Sequence, residues 1–62
     1  MNMALYEATQ RRFVAGFETQ DGKVTTCAPV IAWIKGKGEL AAKLLLEERG
    51  WKVRLINAKE KG

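Results

Sequence analysis

The 62-residue chain has no histidine, one cysteine, one proline and seven acidic residues against eleven basic ones. Lacking histidine, it has neither the side chain best suited to acid–base work near neutral pH nor the commonest metal ligand. A lone Cys27 excludes an intramolecular disulfide, and with no histidine base beside it a nucleophilic role lacks support. The seven carboxylates show no paired spacing, and Glu47 and Glu48 read as the wet side of a helix. No apolar run approaches the roughly 20 residues that span a bilayer. Met1 to Tyr6 lacks the basic start and long apolar stretch of a secretory signal. These absences argue against an enzyme, a cofactor, a metal site and a membrane protein. One free thiol and no export signal fit a reducing cytoplasm.

What is present is a single small domain, residues 1–62. The hydrophobic fraction of 47% suits a folded chain. A domain of this size buries only about 60% of its unfolded surface. With disulfide and histidine-based metal excluded, oligomerisation is the remaining support, and a homodimer is expected. The net charge of +4 permits an anionic partner without requiring one.

Asp21-Gly22 is the clearest local signal, a two-residue hairpin turn. It predicts that Gln20 faces Lys23, Thr19 faces Val24, Phe17 faces Thr26 and Ala15 faces Ala28. Phe13, Ala15, Phe17, Val24 and Ala28 then share the core face, and Arg12, Val14, Gly16, Glu18, Thr25 and Cys27 the other. Thr9 to Arg12 suggests a bulge or break. Residues 1–5 are expected as an N-terminal arm, with Leu5 and Tyr6 pairing separately. Pro29 ends the hairpin register. Residues 30–34 fit a strand buried on both faces or a short helical turn. The turn is favoured: Pro29 opens it, Val30, Ile31 and Ile34 line one side, and Gly36 caps it. A helix from Glu39 to Arg49, closed by Gly50, turns Leu40, Ala41, Leu44 and Leu45 to the core, and Ala42 and Leu46 widen that arc. Trp51 to Ile56 alternates as a third strand, and residues 57–62 read as a flexible polar tail. The predicted fold is α+β, a ββαβ unit with sheet order 2-1-3 and one helix on the sheet. The third strand runs parallel to the second and antiparallel to the first.

Two functional surfaces follow. Val30, Ile31, Trp33, Ile34, Ala42 and Leu46 are the candidate protein interface, because the helix carries more apolar width than one core stripe needs. Arg11, Arg12, Lys52 and Arg54, on or near the uncovered sheet face, and Lys35 and Lys37, in the Lys35–Gly38 loop before the helix, are candidate phosphate contacts. Gly36-Lys37-Gly38 lacks the spacing of a Walker A loop.

Arg12-Phe13, Ala15-Gly16, Asp21-Gly22-Lys23-Val24, Ala28-Pro29-Val30-Ile31, Trp33, Gly36 and Gly50-Trp51-Lys52-Val53 resemble a group of small bacteriophage and prophage proteins of unassigned activity. The resemblance covers about two-thirds of the chain. It implies a phage or bacterial cytoplasmic setting and transfers no residue role. The expected function is a non-enzymatic protein–protein interaction module, a homodimeric phage-type accessory or host-modulating protein that could bind a host or phage protein. The alternative is a nucleic-acid-binding module.

Overall fold

Two tight turns organise the first half of the chain. In the computed structural model, which describes residues 2–60, Asp21 and Gly22 take φ of 50° and 82°, the pair of positive values a type I′ hairpin needs. Strand β2 (Phe13–Gln20) thereby folds onto β3 (Lys23–Cys27). A second turn at Arg11-Arg12 puts Gln10 opposite Phe13, with Arg11 at φ 50°. It folds β1 (Asn2–Gln10) onto β2 along its length, from Gln10 back to Met3 opposite Gln20.

After β3 come a 3₁₀ helix (Pro29–Ile34), α1 (Glu39–Glu48) and β4 (Lys52–Glu60), which pairs antiparallel with β1. The sheet order is β3-β2-β1-β4. The α+β class and the hairpin–helix–strand sequence are as expected; the order 2-1-3 is not. Residues 2–5 are no arm but half of a central strand, and residues 57–60 are no tail but pair with residues 2–5. Met1, Lys61 and Gly62 lie outside the described residues. Because β1 separates β2 from β4, the last strand runs the same way as β2 and opposite to β3, the reverse of the expected directions.

Two bulges correct the faces. The β2–β3 register shifts between Glu18 and Thr19, so Phe17 faces Cys27 rather than Thr26. The extra residue moves Cys27 to the core side, where it packs against the buried cluster. A second shift, between Leu5 and Tyr6, leaves Ile56 unpaired and sets Tyr6 opposite Leu55 but Leu5 opposite Asn57. Phe13 has the alternation of the core face yet is 57% exposed at the strand's end.

The core is Tyr6, Ala8, Ala15, Phe17, Val24, Ile31, Ile34, Ala42, Leu46 and Trp51. Tyr6 and Phe17, cross-strand neighbours, stack with ring centroids 5.0 Å apart. The helix buries Ala42 and Leu46, with Glu39 and Lys43 half-buried. This i, i+3, i+4, i+7 stripe is rotated from the expected Leu40, Ala41, Leu44 and Leu45. Of those four only Leu45 is half-buried; the others are exposed. The cause lies at the helix start, where Glu39 is anchored to the sheet and fixes which side turns inward.

Arg11 occupies the first turn position, where glycine is favoured. Arg11→Gly is expected to raise stability by about 1 kcal/mol, or about 4–8 °C in Tm. Gly50 ends α1 at φ 88°, and a Cβ there would lie 3.0 Å from the Gln10 Nε2. Gly50→Ala is expected to lower stability by about 1–2 kcal/mol. Thermal unfolding followed by circular dichroism measures both.

Candidate interaction surface

A ten-residue helix is about 15 Å long, whereas a nine-residue strand reaches about 30 Å. One helix therefore covers only part of the ribbon that β1 and β4 form. Beside its first turn lies an open groove of ≈ 810 Å³. Ala4 and Tyr6 of β1 and Leu55 and Ala58 of β4 line it, with Glu39, Leu40 and Ala41 of α1.

A hydrogen-bonded clamp holds the helix start beside this groove. The Tyr6 hydroxyl donates to Glu39 Oε2 at 2.5 Å, and the Thr19 hydroxyl donates to Oε1 at 2.7 Å. The Glu39 amide donates to the Gly22 carbonyl at 2.7 Å. Lys43, one turn on, places its Nζ 5.3 Å from the Tyr6 ring centroid. The two hydroxyls that donate to the charged form, Tyr6 first and then Thr19, hold the Glu39 carboxyl below its usual range, and Lys43 adds to this. Burial, with the bond to Glu39, pushes the Tyr6 hydroxyl up to about 12. Both carboxylate oxygens are engaged, so the clamp is a structural fastening rather than a free acid–base pair.

The helix flank beside the groove is apolar and bare. Leu40 is 69% exposed, and Leu44, one turn along, is 54% exposed. On β4, Leu55 and Ile56 are 52% and 45% exposed. Of these four, Leu40 and Leu55 line the groove; single exposed leucines are ordinary on a monomer, whereas contiguous apolar patches are characteristic of contact sites.

The candidate interface residues divide. Ile31, Ile34, Ala42 and Leu46 are all 0% exposed. They belong to the core and cannot meet a partner in this conformation, because the rotated helix and the 3₁₀ helix turn them onto the sheet. Val30 and Trp33 remain exposed, and the Arg49 guanidinium lies 4.5 Å from the Trp33 ring centroid. The two sides of the wide apolar arc of α1 were exchanged: the expected interface residues Ala42 and Leu46 face the sheet, and Leu40 and Leu44 face out.

The candidate phosphate contacts do not form one patch. Arg11, Arg12 and Lys52 gather at one end of the sheet, since Thr9 pairs with Lys52 just before the Arg11-Arg12 turn. Lys35 and Lys37 lie at the Asp21-Gly22 end, where the Lys37 carbonyl accepts from the Val24 amide. Arg54 is paired with Glu7 at 3.1 Å on the open face. The Lys35–Gly38 loop is an edge cover: Gly36 donates to the Val24 carbonyl, Lys37 to the Ile34 carbonyl, and Lys23 bridges Gly38. With those amides engaged and a carboxylate at the helix start, the loop does not present a phosphate cradle.

No protein-family model, curated protein or solved structure matches the chain. No helix among the described residues is long and apolar enough to cross a membrane.

Glu39→Gln is expected to destabilise the fold by about 2 kcal/mol at neutral pH, the worth of hydrogen bonds to a charged group. A carboxyl held below its unfolded pKa contributes stability that is present above that value and lost as pH falls through the folded one. The gap in Tm between wild type and variant should therefore close as the solution is acidified below the ordinary carboxylate range. For Tyr6 the folded state favours the neutral phenol, so its contribution is lost as pH rises from about 10 to about 12. Melting curves across pH test both signs.

Proposed function

We propose that this chain is a small non-enzymatic protein–protein interaction module, dimeric in solution, whose contact surface is the flank formed by α1 and β4. The observation that carries this is an open groove lined in part by the exposed Leu40 and Leu55, with Leu44 exposed one turn further along the same helix flank. The domain exposes 4455 Å², whereas a compact monomer of 6.9 kDa is expected to expose about 4,000 Å². The most perturbed ionisable groups, Tyr6 and Glu39, are bonded to each other, which favours a binding role over a catalytic one. The resemblance to phage-encoded proteins gives such a module an accessory or host-modulating role in a bacterial cytoplasm.

Light scattering at increasing protein concentration tests the proposal. The wild type is expected to reach twice the protomer mass. Leu40→Lys with Leu44→Lys touches exposed positions, so the fold should persist by circular dichroism. Removing two leucines from the contact should weaken association by about 3 kcal/mol or more, at least about 100-fold. A wild type that stays at protomer mass throughout would falsify dimerisation.

A further inference from the structure

The two edges of the sheet are treated differently. At β3, five residues long, the outward Val24 amide and carbonyl are taken by Lys37 and Gly36. At β4 nine residues run along the opposite edge, with β1 on one side and no strand on the other among the described residues. Its charged residues Lys52, Arg54 and Lys59 share the face away from the helix, in register with Thr9, Glu7 and Met3. An uncovered edge of this length is a template for another strand.

We propose that this edge pairs antiparallel with β4 of a second copy, making one eight-stranded sheet with the two helices on the same face. This rests on the interaction surface proposed above and names its geometry. Three observations select a second copy. First, a ridge (Leu40 and Leu44) stands beside a groove of mixed lining, where Ala4, Leu55 and Ala58 meet Asn2, Glu39 and Lys59, and a two-fold axis presents each to its counterpart. Second, a nine-residue strand of about 30 Å can run only along the 37 Å axis of a molecule measuring 37 × 19 × 18 Å. The outline of the β4 side is then about 670 Å², so a second copy must cover most of that side to approach the roughly 800 Å² per partner of a stable interface. Third, a self-complementary register exists. The bulge at Ile56 resets the alternation, so that Val53 and Leu55 before it share the helix-side face with Ala58 after it, and Arg54 shares the other with Asn57. A two-fold between Leu55 and Ile56 matches the faces of Val53 with Ala58 and of Arg54 with Asn57. It sets Leu55 against Ile56 of the second copy, Val53 against Ala58 and Arg54 against Asn57. The one like-charged pairing, Lys52 with Lys59, falls at the outer ends, where salt screens it.

Residue-resolved hydrogen exchange by NMR, below and above the dimerisation concentration, is the test. Alternate amides of an edge strand point away from its neighbour. In the dilute protein those of β4 should exchange fast, and in the dimer they should slow by about 10-fold or more. In parallel, Arg54→Cys and Asn57→Cys are each built on Cys27→Ala and mixed under air oxidation. Directly opposed residues lie within disulfide reach, so the mixture should form a linked heterodimer that neither variant forms alone. A dimer by light scattering whose outward β4 amides keep their dilute rates overturns the edge pairing and leaves the apolar flank as the contact. A dimer with slowed amides but no mixed disulfide overturns the register. A protein that stays at protomer mass overturns both this proposal and the one it rests on.

Discussion

One carboxylate decides how the two layers meet. Glu39 accepts hydrogen bonds from Tyr6 on β1 and Thr19 on β2, while its amide closes onto the β2–β3 turn at Gly22. Those three bonds fix both the position and the rotation of the first helical turn. Ala42, Lys43 and Leu46 then face the sheet because they share a stripe with Glu39. Leu40 and Leu44 face away for the same reason. The apolar flank and the groove beside it follow from where a short helix is fastened on a longer ribbon.

The parts of the fold legible in the sequence were those with strong local chemistry. Asp21-Gly22 named its turn because few residues tolerate two positive φ values in succession. Pro29 opened the 3₁₀ helix, and Gly50, at φ 88°, closed α1. Strand β1 was only partly legible: the break at Thr9–Arg12 and the pairing of Leu5 and Tyr6 were expected, its nine-residue length and central place were not. Its inward residues Ala4 and Ala8 are small and carry little strand preference, and an Arg-Arg turn offers no glycine or asparagine to mark a hairpin. Not placing β1 within the sheet changed the strand order, set residues 2–5 apart as an arm and left residues 57–60 as a tail.

The site was less legible than the fold, because it depended on helix rotation. Leu40, Leu44, Leu45, Ala42 and Leu46 together make an apolar arc too wide to say which part meets the sheet. The deciding signal was polar: an acid at the helix start, matched to a tyrosine and a threonine far away in sequence. The expected face of Cys27 failed through a single bulge residue, since one extra residue exchanges the two faces of a strand. The basic residues fall at two ends of the sheet, Arg11, Arg12, Lys52 and Arg54 at one and Lys35 and Lys37 at the other, because β1 brings β4 beside the Arg11-Arg12 turn while the loop before α1 closes on the Asp21-Gly22 end.

The central position of β1 ties the chain's earliest strand to its latest. While a ribosome is still making the protein, β1 can find β2 at once, but its other edge waits until β4 has emerged. Half of the ladder thus depends on contacts about fifty residues apart in sequence, the kind that slow folding by the loop that must be closed. Until then Tyr6, Ala8 and Phe17 have only part of their cover. Until β4 pairs, that edge of β1 stays open, so β4 is the strand that completes the cover of the core.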